Sequence, residues 1–165
     1  MNRRVFLTTL PAALLAGCGF ELRRLDAIPF NALFIDAPGG HAAAQRLRNT
    51  LGSDRRMRLT ASTNEAMAVL KLAPEDRIKT ILSLSGAGRV TEYRLTYRLK
   101  FSVNGNDERV LAAPETIELT RDFTYDDAQV LAKSAEETLL YRSMEDDAAT
   151  QILRRLRSIK PGNGG

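Results

Sequence analysis

The chain has 165 residues, enough for one domain, and its 44% hydrophobic and 27% charged residues are ordinary for a globular protein. Its 24 Lys+Arg against 20 Asp+Glu are too mild an excess for a nucleic-acid footprint. One cysteine excludes an intrachain disulfide and a cysteine-rich zinc site, and a single histidine, His41, removes most remaining metal and nucleophile chemistry.

Residues 1–17 read as a removable signal peptide. Arg3 and Arg4 form a positive start, and Val5 to Ala16 is a short apolar run. A bilayer span needs ~20 apolar residues, so this run is too short to cross. Leu15-Ala16-Gly17-Cys18 has the form of a bacterial lipobox, in which small residues fit the protease cleft and the thiol of Cys18 takes a diacylglycerol. Cleavage before Cys18 then leaves a mature N-terminus carrying S-diacylglycerol and an N-acyl chain. Several chains anchor where a single one binds only marginally. Gly19 stands where an aspartate would favour inner-membrane retention, which points to the outer membrane. Arg3-Arg4-Val5-Phe6-Leu7 is compatible with twin-arginine as well as Sec export. Without Arg3 and Arg4 the mature chain keeps 22 cations against 20 anions.

The mature chain, 18–165, is expected to be one domain with a tether at 18–31 and a flexible tail at 160–165. Leu33-Phe34-Ile35, bounded by Asn31 and Asp36, predicts a buried strand. His41 to Leu51 has helical spacing at Ala44, Leu47 and Leu51, with Gly52 at its end. Met57–Thr60 and Ala66–Leu72 predict further extended pieces, the second ended by Pro74. Ile78 to Ser85 is strand-like, and Gly86-Ala87-Gly88 is a hairpin turn. Tyr93, Leu95, Tyr97, Leu99, Phe101 and Val103 then alternate with Arg94, Thr96, Arg98, Lys100 and Ser102, which is a long strand with one buried and one wet face. After the turn Asn104-Gly105-Asn106-Asp107, Ile117, Leu119, Phe123 and Tyr125 face inward in a returning strand, with Arg121 breaking the row. Ser134-x-x-Glu137 has the form of a capping box opening a last helix, whose apolar stripe is Ala135, Leu139, Met144, Ala148, Ile152 and Leu156 and which Pro161-Gly162 stops. The order predicts an α+β fold. It is a two-layer α/β sandwich with two helices on one face of a mixed, largely antiparallel sheet of four to five strands.

Catalytic constellations are missing from the sequence. His41 reads as a surface or capping residue, Asp126-Asp127 as helix capping, and Glu145-Asp146-Asp147 as a solvated charge run. Gly86-Ala87-Gly88 lacks the Lys-Ser/Thr ending of a phosphate loop, and no serine sits in a nucleophile elbow. The chain is read as a non-enzyme without cofactor or metal. Two cations at loop ends are binding candidates, Arg89 at the hairpin tip and Lys133 ahead of the last helix.

The run Leu15-Ala16-Gly17-Cys18-Gly19-Phe20-Glu21-Leu22-Arg23 resembles the start of the outer-membrane lipopolysaccharide-assembly lipoproteins (LptE, also called RlpB). Thr91-Glu92-Tyr93-Arg94-Leu95, Leu131-Ala132-Lys133 and Ile152-Leu153-Arg154-Arg155-Leu156 are similar to that family in the same order. The resemblance implies a non-catalytic lipoprotein that binds lipopolysaccharide and plugs an LptD-type outer-membrane β-barrel, helping the barrel assemble and deliver lipopolysaccharide. It implies lipid contacts at Lys133 and, by a looser match, Arg89. Arg94, Arg98 and Lys100 on the wet strand face are the candidates to meet the barrel wall. The competing expectation is an outer-membrane transport accessory or envelope scaffold that binds protein and not glycolipid.

Replacing Cys18 by Ser is expected to leave residues 1–17 attached and remove the lipid increment from the intact mass. Gly19→Asp is expected to move the processed protein to the inner membrane on density-gradient fractionation. A processed chain in the Cys18→Ser variant contradicts the lipobox reading.

Overall fold

The alternation centred on Leu99 sets the architecture. In the computed structural model of the chain, which describes residues 28–160, it lies in β5 (Val90–Gly105), a strand of 16 residues. At the usual strand rise such a strand is about 50 Å long. Leu95, Tyr97, Leu99, Phe101 and Val103 are buried, while Arg94 and Lys100 are exposed. The sequence expectations for Cys18, the signal peptide, the export signal, most of the tether and the Pro161-Gly162 stop lie outside the described residues.

β6 (Val110–Thr124) runs antiparallel along one edge of β5. The other edge is shared by β4 (Asp76–Leu84), which pairs with the first half of β5, and β3 (Ala68–Leu72), which pairs with its end. Pro74 separates these two strands. It has no N–H to give to a ladder, so a continuous strand is interrupted there, although Ala73 N–H still donates to Lys100 O at 2.9 Å. β1 (Ala32–Asp36) lies parallel to both β3 and the two-residue β2 (Arg58–Leu59). The mixed sheet has six strands against the four to five expected, because the short extended piece expected at Met57–Thr60 joins it as β2. In the β5–β6 turn Glu108 adopts φ 62°, a left-handed conformation that a residue with a Cβ rarely takes.

α1 (Ala42–Gly52) packs on α2 (Val130–Ser158), and α2 on β5 and β6. Leu33, Leu47, Leu70, Leu99, Met144, Ile152 and Leu156 are fully buried between the layers. Each such side chain contributes about 1.5–3 kcal/mol relative to exposure. His41 occupies the N-cap position of α1, its Nδ1 3.3 Å from the Ala44 nitrogen and nearer still to Glu75, and it is buried and not a surface residue.

α2 departs from the sequence expectation at its start. It begins at Val130, four residues before Ser134, so the capping box is not formed. The 3-10 turn Asp127–Gln129 leads into it, and Asp126 accepts from Ala128 N–H at 2.9 Å. Asp126 therefore caps, as its sequence setting predicts, but it caps this turn, and α2 continues from it with Ser134 about one turn inside. The apolar stripe is buried at Met144, Ala148, Ile152 and Leu156, whereas Ala135 is exposed and Leu139 is 61% exposed. The first part of α2 runs past the packed core.

Of the run Glu145-Asp146-Asp147, Asp146 and Asp147 keep about half or more of their side chains in solvent, but Glu145 is not on a solvated face. Glu145 is 4% exposed and accepts from Arg77 of β4 at 2.6 Å and Arg46 of α1 at 3.2 Å. Arg46 also pairs with Asp146, and Asp147 with Arg121 of β6. Beside this cluster, Glu75 receives the Ala43 N–H at 3.0 Å and the Tyr97 hydroxyl at 2.9 Å, and its Oε1 lies 2.8 Å from His41 Nδ1. Burial disfavours the charged form of Glu75, but His41, the Ala43 amide and Tyr97 together outweigh it and hold the carboxyl at about 2. Burial and the facing carboxylates push the Tyr97 phenol upward, so it stays a donor. Because the Glu75 value is lowered from an ordinary 4.5, its ionised form stabilises the fold fully above that range, and the contribution is lost as pH falls toward 2. Urea midpoints measured from pH 6 to the acid limit of folding are expected to fall more steeply for the native chain than for Glu75→Gln; parallel curves contradict this role.

Candidate functional site

The ends of β5 divide the molecule. Ala68 of β3 pairs with Gly105, and Met67 N–H donates to Ala32 O, so the chain enters the fold at the Gly105 end. The β4–β5 turn lies at the opposite end, closed by Ser85 N–H to Arg89 O at 2.7 Å and Gly88 N–H to Ser85 O at 2.9 Å. Gly88 takes φ +75°, the left-handed geometry that favours glycine. Gly86-Ala87-Gly88 is therefore the hairpin turn expected, and Arg89 stands exposed on it.

Lys133 is at this same far end, but not in a loop. It lies in the first turn of α2, where its Nζ donates to Thr124 Oγ1 at 3.2 Å and to Glu136 at 2.9 Å, with its side chain 15% exposed. The correction follows from the earlier start of α2. Thr124 pairs with Glu92 across the sheet, three residues from Arg89. The fold thus brings both candidate cations to one end. Arg89 is free to swing, whereas Lys133 is preset by two oxygens that an incoming anion would replace.

Beneath them sits a group the sequence reading missed. Lys79 Nζ lies 4.2 Å from the Tyr93 ring centroid, with Phe123 and Tyr125 also within cation–π range, and it pairs with Glu137 of α2 at 2.6 Å. Tyr93 stacks on Phe123 and meets Tyr125 edge-on. The only early signal was the inward aromatic row itself, because β4 alternation does not say which face meets the helix.

The wet face is charge-balanced by register. Arg94 sits opposite Asp122 and makes two hydrogen bonds of 2.8 Å to it, and Arg98 is opposite Glu118 at 2.8 Å. The ion pair with Asp122 raises the Arg94 value and lowers that of Asp122. Lys100 is opposite Thr116, is exposed, and has no ion-pair partner among the described residues. Arg121 points to the helix side without a bulge and donates to Asp147 at 2.7 Å, so an internal ion pair accounts for it. Exposed apolar side chains gather on β4 and the start of α2, at Ile78, Ile81, Leu82, Leu84 and Leu131.

Among the described residues no group of three or more His, Cys, Asp or Glu is placed to hold a metal ion, and no helix is long and apolar enough to cross a membrane. At this end the exposed Arg89 and the part-buried Lys133 are the groups an anion would meet, above a packed aromatic group.

The family model "LptE: Lipopolysaccharide-assembly" matches residues 27–156. The LPS-assembly lipoprotein LptE of Pectobacterium atrosepticum is 26% identical over 164 residues, covering 96% of this chain and 88% of the relative. That of Yersinia enterocolitica is 28% identical over 169 residues, covering 94% and 77%. The solution structure of an uncharacterized lipoprotein B from Nitrosomonas europaea superposes with a TM-score of 0.73 at 36% identity, covering 85% of this chain and 91% of that one. The crystal structure of the rare lipoprotein B from Shewanella oneidensis gives 0.63 at 30% identity, covering 78% and 95%.

Proposed function

The chain belongs to the LptE lipopolysaccharide-assembly family, and from that premise we propose that it is an outer-membrane lipoprotein, anchored through Cys18, that binds lipopolysaccharide and seats in an LptD-type β-barrel. In this reading it helps the barrel assemble and passes lipopolysaccharide to the cell surface, without catalysis. The observation that carries the reading is the separation of ends. The described residues begin at the Gly105 end of β5, and Arg89 and Lys133 stand together at the other, about 50 Å away along a strand of 16 residues. A tether to the proposed anchor that joins the domain at one end, with cations at the other, suits a protein that reaches from a membrane leaflet toward lipid in transit.

The chemistry supports it. Phosphates on a glycolipid are met best by Arg and Lys, whose charge-assisted hydrogen bonds are the stronger class. The balanced outer face, rich in threonine and carrying Arg94, Arg98 and Lys100, suits a polar barrel lumen, which rejects a large apolar face and accepts a wetted one. Lys100, unlike its two neighbours, keeps its charge for a partner.

Charge reversal at both Arg89 and Lys133 is expected to weaken lipopolysaccharide binding by about tenfold or more, the loss of roughly one charge-assisted hydrogen bond or greater. Lys133→Gln, which keeps a donor to Thr124, gives a milder loss. Thermal midpoints measured alongside separate ligand loss from unfolding. Unchanged saturable binding in a folded double variant contradicts the site, and no saturable binding by the native chain favours the protein-binding scaffold.

A further inference from the structure

The other end of the molecule carries a cavity that the proposed function leaves unused. It has a volume of about 860 Å³ and opens beside the first described residues. Ile28, Met67 and Ile159 give it an apolar lining, and Arg56, Arg157 and Lys160 stand around it. Met67 is 54% exposed at the start of β3, although it continues the apolar run Ala68-Val69-Leu70. Arg56 is shared with Asp54 at 3.2 Å, whereas Arg157 and Lys160 have no ion-pair partner among the described residues. Arg55 of the same loop and Arg58 at the start of β2 are also exposed. The end is therefore cationic around an apolar slot.

Its position says what it meets. If Cys18 carries the anchor, as the proposed function has it, nine residues separate the anchor from Ile28. Ten Cα steps span at most about 36 Å, so the cavity mouth stays within that distance of the bilayer whatever path the tether takes. Cations near a bilayer are drawn to anionic headgroups within a Debye length, and an apolar slot among them receives the adjoining hydrocarbon. We propose that this end of the domain docks on the leaflet holding the anchor and seats an anionic phospholipid headgroup among Arg56, Arg157 and Lys160. The contact is distinct from the Arg89–Lys133 end, which lies the length of β5 away. Docking sets the long axis of the domain relative to the membrane, which a nine-residue tether alone leaves undetermined.

The chain's single cysteine makes the test direct. With Cys18 blocked by lipid, Met67→Cys supplies one thiol for an environment-sensitive fluorophore, and Ala87→Cys on the far turn supplies a control. The full mature protein is first weighed intact. It is then reconstituted in phosphatidylcholine vesicles with and without phosphatidylglycerol and titrated with acrylamide, a neutral quencher. The expected result is several-fold weaker quenching at position 67 on the anionic vesicles, no change at position 87, and loss of protection in Arg56→Glu/Arg157→Glu/Lys160→Glu or in high salt on the native sequence. Equal quenching on both vesicles overturns the proposal while leaving the anchor intact. So does equal protection by inorganic phosphate on neutral vesicles, which marks a free-anion site. A mass without acyl groups overturns the anchor reading and removes the premise of docking with it.

Discussion

Glu145 sits almost fully buried between Arg77 from the sheet and Arg46 from the first helix, and three separate elements are joined through that one charge. A carboxylate taken out of water costs several kcal/mol unless paired and hydrogen-bonded, so removing either arginine leaves Glu145 short of a partner where α2 meets β4 and α1. Glu75 makes a second joint beside it. It takes up the amide of Ala43 at the start of α1 and the hydroxyl of Tyr97 on the central strand, and lies against the His41 ring. The Nε2 of that ring reaches Ala73 O at 3.1 Å. The joint occurs where Pro74 interrupts the strand pairing along β5, so the residue freed from the ladder becomes the one that fastens the helix layer.

That clamp fixes the polarity of the molecule. Below it, toward Gly105, α1 and the second half of α2 close over β1, β3 and β5 in a dry core. Above it, α2 continues over the β4–β5–β6 meander with thinner cover. Lys79, Glu137 and the aromatic group fill the space there, and Leu131 and Leu139 remain exposed. Such a region has fewer buried apolar contacts than the core and lies toward the less stable end of a structure. The ligand candidates Arg89 and Lys133 are on this lighter half. A rigid base and a more yielding tip are consistent with a part that is held at one end and works at the other.

The sheet was legible because a half-wet strand writes its period directly into the sequence. Tyr93 to Val103, and Ile117 to Phe123, alternate as they are buried. The helix layer was legible from Met144 onward for the same reason. What escaped depends on facts that no local window holds. The Ser134 capping signal is real as a pattern, but Asp126 caps a 3-10 turn eight residues earlier and α2 has already begun at Val130. Glu145-Asp146-Asp147 looks solvated because Arg46, Arg77 and Arg121 are distant in sequence. In β4, Ile78 is more apolar than Arg77 or Lys79, yet register opposes Ile78 to the wet Thr96 and sets Arg77 and Lys79 opposite buried Tyr97 and Leu95. Arg89 was correctly read as a tip residue, whereas Lys133 moved from loop to helix with the corrected helix start.

The claim on which the account turns is that the protein works inside a barrel on a glycolipid, held by its own lipid. Gentle detergent extraction of the protein from the membranes of its own cells, followed by affinity purification and native mass spectrometry, tests this in one step. The account predicts a discrete complex with one β-barrel partner, with lipopolysaccharide retained. Recovery as a free monomer, or with a soluble scaffold partner and no glycolipid, contradicts it.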